Sequence, residues 1–449
     1  MLNPRKLALD IIYDITYNGA YSNIAIEKAF KQSEVSEENK NLIRELVYGT
    51  IENDIYLNWV VQSYSKVKLK KISDQVLVLL KMSIYQLLFL DKIPDYSVCD
   101  EANKIALKIA NIGAKKFVNG MLRTIIREKD NLELKIEALK ENAYQEYLSV
   151  YFSMPQWIVD RWIAQYGLRE TELLLAHLQG KPKFCLRTNT LKIDRPALLK
   201  TLEEHGIEAS PCHYAIDGIE VKNPVKMTDL EAFKKGYYII QDESSMLVGQ
   251  VLNPLADEKI LDVCSAPGGK TTHLAQKMKN SGQIIARDIY QHKIDLINHN
   301  CKRLGVKNVH AEVKDSLEVI EAEVGVYDKV LLDAPCSGMG IIKRKPEIKF
   351  NRQSEELKDI IELQKKLIES AYKHLKVGGI MVYSTCSIDK DENINQIMAY
   401  VSAGYFDLVA FDDLLAIEGA EKGYIQILPH THQMDGFFIA KLVKKEVVK

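Results

Sequence analysis

The stretch that decides the fold is KILDVCSAPGGKTT, residues 259–272, in which a short apolar run ends in a turn with two adjacent glycines. The run has the length of a strand, and a helix-type pattern begins directly after the glycines. Similar apolar runs follow at QIIARD, KNVHAEV, KVLLDA and GIMVYST, with helix-type patterns between them. This alternation predicts a doubly wound parallel sheet, which we expect to occupy residues 236–449.

Upstream of this sheet, the chain is expected to form two further regions. Over about the first 130 residues the apolar positions recur at helical spacing, and Asn3 before Pro4 is a typical helix start. The following region contains the strand-like run FCLRTNTLKI and a helix-like run capped by Asp194. We therefore predict an all-α domain over residues 1–135 and a small α+β linking region over residues 136–235.

Length and composition narrow the class of protein. A chain of 449 residues with 47% hydrophobic residues can bury two or three cores. Its most apolar stretch, QVLVLLKMSIYQLLFL, is interrupted by Lys81 and is shorter than the roughly 20 residues of a membrane helix. The seven cysteines form no C-x-x-C pair, so we predict no disulfide framework and no metal site. Since Asp10 argues against a signal peptide, we expect a cytoplasmic protein that binds no membrane.

The residues at the ends of the predicted strands are unusually polar. In an open parallel sheet, ligands bind beyond the carboxyl ends of the strands. After the first strand, Gly268 and Gly269 would let a ligand approach the backbone closely. Asp288 ends the second strand and could accept hydrogen bonds from both hydroxyls of a ribose, while Asp315 follows the third and could contact an adenine. The fourth and fifth strands end in DAPCSG and STCS, which places two cysteines at the same edge.

Each of these features has a simpler explanation when it is taken alone. A glycine pair is often only a turn, an aspartate after a strand is often a helix cap, and a buried cysteine is usually inert. A P-loop nucleotide-binding site is the most similar alternative. GGKTT resembles its Walker A motif, and KVLLDAP resembles its Walker B motif. That loop requires a glycine at the position of Cys264, and Pro267 lies inside it. What remains is a site that can bind adenosine but lacks a complete phosphate-binding loop. Such a site suits S-adenosylmethionine.

Five segments in this order, DVCSAPGGKTT, DAPCSGMG, RKPEIKF, YSTCSI and LPHTHQMDGFFIAKL, resemble the RNA cytosine-5 methyltransferases of the Sun/RsmB type, also called Fmu. The resemblance covers the chain. It implies a NusB-like RNA-binding fold for the N-terminal domain, and LRTNTLKI and QDESSM lie where the family has its linking RNA-binding region. It also implies a Rossmann-like, S-adenosylmethionine-dependent methyltransferase domain that modifies carbon 5 of a specific cytidine in 16S rRNA.

The resemblance implies roles for individual residues. Carbon 5 of cytosine attacks a methyl group only after a thiolate has added to carbon 6, so a cysteine is required. In this family the nucleophile corresponds to Cys386, whereas Cys336 aids product release. Asp333 would hydrogen-bond the N3 edge of the base, and Lys270 would favour the thiolate. The implied cofactor-binding residues are Cys264, Ser265, Ala266, Pro267, Gly268, Gly269, Lys270, Asp288, Asp315 and Asp333.

Other parts of the interpretation stay open. Arg344, Pro346 and residues 435–438 either line the base pocket or pack as ordinary loop and strand. The first 130 residues carry 19 Lys and Arg against 16 Asp and Glu, a net charge of +3 that suits RNA. We expect a monomer that binds 16S rRNA, naked or in an early small-subunit particle. A non-catalytic RNA-binding assembly factor is the main alternative and a P-loop ATPase a distant one, but the intact cysteines favour the enzyme.

Overall fold

The computed structural model describes residues 3–446, and these residues form two compact units. The first, which we call the helical unit, contains the described residues up to Gln179 together with Arg344–Gln353. The second, which we call the sheet unit, contains Gly180–Lys343 and the described residues from Ser354 onward. The sequence predicts different boundaries, at residues 135 and 235, and these domain boundaries remain a prediction.

Helices follow one another through the N-terminal part of the helical unit, as the periodicity predicts. They are α1 (Pro4–Asn18), α2 (Ser22–Gln32), α3 (Glu37–Glu52), α4 (Asp54–Tyr64), α5 (Asp74–Phe89), α6 (Asp95–Ile109), α7 (Ile112–Arg127), α8 (Lys129–Asn142), α9 (Tyr144–Tyr151), α10 (Gln156–Tyr166) and α11 (Leu168–His177). The Asn3 side chain accepts a hydrogen bond from the Lys6 N–H, which confirms the predicted cap of α1. The apolar helix α5 is buried in the core, and no helix within residues 3–446 is long and apolar enough to cross a bilayer.

A segment from far along the chain completes the helical unit. We call residues 344–353 the inserted segment, because they interrupt the sheet unit in sequence. The buried Glu347 carboxylate accepts a hydrogen bond from Ser22 Oγ at 2.9 Å. Lys349 Nζ donates to the Glu52 carbonyl at 3.0 Å. These contacts hold the inserted segment against helices from a distant part of the sequence. Lys349 and Glu52 are 297 residues apart along the chain.

The sheet unit begins with a small antiparallel sheet. Its strands are β1 (Phe184–Thr188), β2 (Ala209–Pro211), β3 (Gly218–Val221) and β4 (Tyr238–Ile240), in the order β2-β3-β1-β4. The helices α12 (Arg195–Glu204) and α13 (Glu231–Lys234) accompany it. The Asp194 side chain accepts from the Ala197 N–H, as the sequence predicts for the start of α12. The strand predicted in FCLRTNTLKI is present over its first five residues as β1, and the chain turns after Thr188. This part therefore has the expected α+β character.

A larger sheet carries the rest of the unit. Its strands are β5 (Lys259–Asp262), β6 (Gln283–Asp288), β7 (Val309–Val313), β8 (Tyr327–Asp333), β9 (Leu375–Thr385), β10 (Phe406–Leu408), β11 (Tyr424–Ile427) and β12 (Phe437–Lys444). Their order is β10-β12-β9-β8-β5-β6-β7, and β11 pairs with β12. The remaining helices are α14 (Glu243–Leu252), α15 (Gly269–Lys277), α16 (Gln291–Leu304), α17 (Ile348–Asn351, in the inserted segment), α18 (Glu356–His374), α19 (Ile394–Ser402) and α20 (Pro429–His432).

The five strands β5 to β9 are parallel, which confirms the prediction for this part of the sheet. The sheet as a whole is mixed, because β12 runs antiparallel to β9, β10 and β11. Only residues 428–436 connect β11 to β12. A parallel pair needs a crossover of a dozen or more residues, so this short connection requires an antiparallel pair.

Candidate active site

The carboxyl ends of the parallel strands meet at one edge of the large sheet, beside a cavity of about 430 Å³. Six aspartates and cysteines that the sequence analysis selected line this cavity, namely Cys264, Asp288, Asp315, Asp333, Cys336 and Cys386. Its apolar walls include Val263, Leu363 and Leu367. A concave site with apolar walls and a few convergent polar groups is typical of a ligand pocket in this class of fold.

The turn after β5 has the backbone conformation that its glycines suggest. Gly268 has a φ of 92°, which residues with a Cβ atom rarely adopt, and α15 begins at the next residue. The Ser265 N–H and Oγ both donate to the Arg287 carbonyl at 2.9 Å, which ties the turn to β6. Of the predicted cofactor residues in this turn, Cys264 and Ala266 line the cavity. The others form the turn and the start of α15 and are Ser265, Pro267, Gly268, Gly269 and Lys270.

Two aspartates supply acceptors to the cavity. Asp288 is the last residue of β6 and only 8% exposed, and Lys293 Nζ lies 3.3 Å from its Oδ1. Asp315 follows β7, and its side chain accepts a hydrogen bond from the Leu317 N–H at 3.0 Å. Because a carboxylate has about four acceptor positions, each aspartate retains capacity for a ligand.

The two predicted cysteines lie side by side. Cys336 and Cys386 follow β8 and β9, which are neighbouring parallel strands, and their Sγ atoms are 3.2 Å apart. The hydrogen bond with Cys386 and burial hold the pKa of the Cys336 thiol well above its usual value. Cys336 therefore keeps its proton and can donate it toward the other sulfur.

A buried carboxylate connects the two cysteine turns. Glu392 is fully buried, and its Oε1 accepts hydrogen bonds from Ser337 Oγ and Ser387 Oγ, both at 2.5 Å. Its Oε2 accepts from the Ser337 N–H at 2.8 Å. These serines directly follow Cys336 and Cys386, so one carboxylate determines how the two turns are spaced. Sequence reasoning missed this residue, although it lies soon after the motif of the second cysteine, because a glutamate among polar residues suggests an exposed position.

Comparison with known proteins identifies the family of the chain. Residues 249–443 match the family model of the 16S rRNA methyltransferase RsmB/F. Residues 2–127 match the NusB family, and residues 154–228 match the ferredoxin-like domain of RsmF/B-like methyltransferases. A probable ribosomal RNA small subunit methyltransferase B from Bacillus subtilis is 36% identical over 98% of both chains. The chain belongs to the RsmB/F family.

Other relatives and solved structures extend the similarity. A ribosomal RNA small subunit methyltransferase B from Pectobacterium atrosepticum is 32% identical over 98% of this chain and 99% of its own. A methyltransferase homologue from Pyrococcus horikoshii is 31% identical, with a TM-score of 0.60 over 68% of this chain and 99% of its own. NSun6 from Pyrococcus horikoshii, solved with SFG, is 26% identical, with a TM-score of 0.58 over 64% of this chain and 97% of its own.

Membership of the RsmB/F family confirms the predicted fold class and enzyme class. The fold combines an all-α NusB-like domain, a small α+β linking region and a Rossmann-like methyltransferase domain. One further solved structure covers 99% of each chain at 28% identity, with a TM-score of 0.82, so this arrangement extends over the chain. The enzyme is an S-adenosylmethionine-dependent RNA (cytosine-5)-methyltransferase.

In this RsmB/F enzyme, Lys270 is paired with Asp333. Its Nζ lies 2.6 Å from Asp333 Oδ2 and 5.2 Å from the centre of the Phe437 ring. Ser384 Oγ donates to Asp333 Oδ1 at 2.8 Å. Two donors therefore orient the carboxylate that lines the cavity. The sequence suggested Lys270 as a cation for the thiols, but it carried no signal for this ion pair.

A buried arginine from the small sheet holds the start of α15. Arg187 on β1 is 1% exposed, and its guanidinium donates to the Gly269 carbonyl at 2.5 Å and to Thr272 Oγ1 at 2.9 Å. The side chain of Gln241 accepts a further hydrogen bond. The linking region therefore helps to position the helix that carries Lys270. A charged residue inside a predicted apolar strand was the signal that could have identified this contact.

The segments that the sequence left open occupy different places. The Gly436 N–H donates to the Gly340 carbonyl at 2.9 Å, so residues 435–438 lie next to the turn that follows the first cysteine. Arg344 and Pro346 belong to the inserted segment of the helical unit. Within residues 3–446, no group of three or more His, Cys, Asp or Glu side chains is arranged to hold a metal ion.

Proposed function

We propose that this enzyme methylates carbon 5 of a specific cytidine in 16S rRNA, with Cys386 as the nucleophile and Cys336 as the residue that aids release. The 3.2 Å separation of the two Sγ atoms carries the proposal, because both thiols line the same cavity as Asp333. The relatives named ribosomal RNA small subunit methyltransferase B support small-subunit rRNA as the substrate.

The cavity suits S-adenosylmethionine as the cofactor. Asp288 and Asp315 can accept hydrogen bonds from the ribose and the adenine, and Leu363 and Leu367 offer an apolar surface for the ring. SFG, with which NSun6 was solved, is an analogue of this cofactor. When bound, S-adenosylmethionine supplies an electrophilic methyl group on a positively charged sulfur.

The residues of the site divide the reaction between them. Cys386 adds through its thiolate to carbon 6, forming a C–S bond that turns the ring into an enamine nucleophilic at carbon 5. Asp333 accepts the hydrogen bond from the protonated N3 edge of the adduct. After carbon 5 has gained the methyl group, a water molecule accepts the proton of carbon 5, and the electrons of that C–H bond restore the double bond between carbons 5 and 6. The Cys386 sulfur then leaves carbon 6 as a thiolate. Cys336 lies within hydrogen-bonding distance of the departing sulfur and assists this step.

The helical unit and the linking region are proposed to hold the RNA. A cytosine can reach Cys386 only when it has left its stack, so we expect a flipped or single-stranded target. The basic stretches KVKLKK at residues 66–71 and AKKFVNGMLRTIIREK at residues 114–129 can neutralise phosphates. The match to the NusB family supports this role for the first of the two regions. We further propose that the enzyme acts as a monomer in the cytoplasm, on naked 16S rRNA or on an early small-subunit particle.

The test is methyl transfer to unmethylated 16S rRNA, with 5-methylcytidine measured by mass spectrometry. Cys386→Ala should reduce the product below detection and form no covalent complex. Cys336→Ala should allow attack and accumulate a protein–RNA complex that survives a denaturing gel. Cys99→Ala, which removes a thiol from the helical unit, should match the unaltered enzyme.

Three results would contradict the proposal. A trapped complex in Cys386→Ala and none in Cys336→Ala would exchange the roles of the two thiols. Tight RNA binding without any 5-methylcytidine would favour the non-catalytic assembly factor. Binding of ATP in place of S-adenosylmethionine would favour the P-loop ATPase.

A further inference from the structure

The helical unit contains a cavity of about 530 Å³ that has no part in the proposed methyl transfer. Four aromatic side chains line it, namely Tyr56, Phe89, Tyr151 and Phe152. Phe89 is 44% exposed and Tyr151 is 50% exposed, which is unusual for large rings that surround a concave surface. Exposed apolar surface of this kind is typical of a binding site.

The rings form a wall of defined geometry. The centres of the Tyr56 and Phe89 rings are 6.0 Å apart, with an angle of 80° between the planes. The Tyr151 and Phe152 rings are 5.0 Å apart at 89°. Edge-to-face pairs orient each other, so the cavity is formed before a ligand arrives. Burial raises the pKa of Tyr56 to about 12, so its phenol stays protonated and uncharged. An uncharged aromatic ring attracts a cation to its face.

Two carboxylates line the same cavity. Glu133 and Glu137 on α8 are both exposed and are spaced i and i+4, so they lie on one face of the helix and repel each other. Neither forms an ion pair with any residue in the described part of the chain. The intervening Lys135 points elsewhere, because its Nζ lies 4.0 Å from the centre of the Tyr64 ring. A cation entering the cavity would relieve this repulsion.

We propose that this cavity binds an arginine side chain from a basic segment of a protein partner. A guanidinium group is flat and stacks on aromatic faces, and it pairs with carboxylates through two parallel hydrogen bonds. The combination of four rings with two carboxylates complements both properties. The same carboxylates repel phosphates, so the cavity is unsuited to the RNA backbone that the basic stretches of this unit are proposed to contact.

The experiment uses the full-length protein and the synthetic peptide Gly-Arg-Gly-Arg-Gly-Arg-Gly as the probe, with affinity measured by calorimetry at low salt. The Glu133→Gln/Glu137→Gln double variant should weaken peptide binding at least tenfold, and Tyr151→Ala should weaken it severalfold. Glu141→Gln is the matched control, because Glu141 is exposed on α8 and does not line the cavity. We expect its affinity to stay within twofold of that of the unaltered protein.

The outcomes separate specific recognition from general charge attraction. Both glutamine variants keep the size of the side chain at exposed positions, and thermal unfolding checks that they fold. An equal loss of affinity in Glu141→Gln and in the double variant would overturn the proposal, because it would show non-specific attraction. Unchanged peptide affinity in the double variant would also overturn it. If the cavity variants altered binding of a short single-stranded RNA and left peptide binding unchanged, the cavity would be a site for an RNA base.

Discussion

The two units bury charged groups in different ways. In the sheet unit, the buried Asp288 and the half-buried Asp333 line a cavity. In the helical unit, the ion pair between Asp54 and Lys81 is buried in the packed interior. Burial of a charge therefore does not by itself identify a functional site. A buried polar group indicates chemistry where it faces a space that a ligand can enter.

The buried charged side chains of the helical unit contribute to its packing. Removing one partner of a buried pair costs more than the pair contributes, because the other charge stays buried without its partner. Glu347 and Lys349 of the inserted segment are also buried. Glu347 contacts Ser22, and Lys349 contacts the carbonyl of Glu52. Such groups require one particular arrangement of the inserted segment on its helices.

The largest effect is expected at Glu392, which is buried like the packing charges but holds the turns of both cysteines. Glu392→Ala removes the common acceptor of Ser337 and Ser387, and a shift of about 1 Å in a reacting group can cost roughly 100-fold in rate. We expect kcat to fall by about that factor while the KM for S-adenosylmethionine changes little. Glu392→Gln keeps one acceptor oxygen and should recover part of the rate.

The control for this prediction is Glu362→Ala, because Glu362 pairs with Lys365 on the exposed side of α18. Its activity should equal that of the unaltered enzyme. If Glu392→Ala lost activity only in proportion to its loss of folded protein, Glu392 would belong with the packing charges. The difference between the two units would then be smaller than we infer.

A smaller effect is expected at Asp288, which borders the cavity. Asp288→Ala removes the acceptor proposed for the ribose hydroxyls, and hydrogen bonds to a charged group contribute about 1.5–3 kcal/mol. Affinity for S-adenosylmethionine should fall roughly tenfold or more, as measured by calorimetry. Asp295→Ala, on the exposed face of α16, should leave the affinity unchanged. Full affinity in a folded Asp288→Ala protein would leave Asp288 as a turn residue only.

The helical unit is tested at Lys349 through the pH dependence of stability. Burial lowers the pKa of Lys349 to about 8, from an ordinary value of 10.5. Between these two pH values the unfolded chain binds more protons than the folded protein, so this lysine makes stability rise with pH. Lys349→Met should lack that rise. We expect the unfolding temperature of the unaltered protein, relative to the variant, to increase by roughly a few degrees over this interval.

The control for the pH series is Lys345→Met, which removes an exposed lysine from the same inserted segment. It should follow the unaltered protein at each pH. Parallel curves for Lys349→Met and the unaltered protein would mean that Lys349 does not titrate between pH 8 and 10.5. The inserted segment would then be less firmly packed than its contacts indicate.

The smallest effect per residue is expected on the basic surface of α7. Replacing Lys115, Lys116 and Arg123 by alanine should weaken RNA binding and lower the log–log salt slope by about 0.7 for each lost single-strand phosphate contact. Affinity for S-adenosylmethionine should stay the same. The control replaces Lys28, Lys31 and Lys92, which are exposed elsewhere in the same unit, as a set. Equal salt slopes for the two triple variants would mean that α7 has no special role in RNA binding.

The sequence predicted those parts of the site that arise from local patterns. The strands β5 to β9 were visible as apolar runs, and the rule that parallel strands present their carboxyl ends at one edge brought Asp288, Asp315 and both cysteines together. The residues that hold the site were not visible in this way. Arg187 and Glu392 act through contacts with segments that are distant in sequence or with a neighbouring strand, and their type suggests exposed positions.

Helical and strand periodicity and turn chemistry depend on neighbouring residues. The sequence alone therefore predicts the order of the elements, the glycine turn and the two cysteines that follow neighbouring strands. Three features are visible only in the tertiary structure. They are the 3.2 Å distance between the Sγ atoms of Cys336 and Cys386, the antiparallel direction of β12, and the position of residues 344–353 in the helical unit. These features depend on which distant surfaces pack together. A local pattern states that a side chain is buried, but it does not state what lies against it.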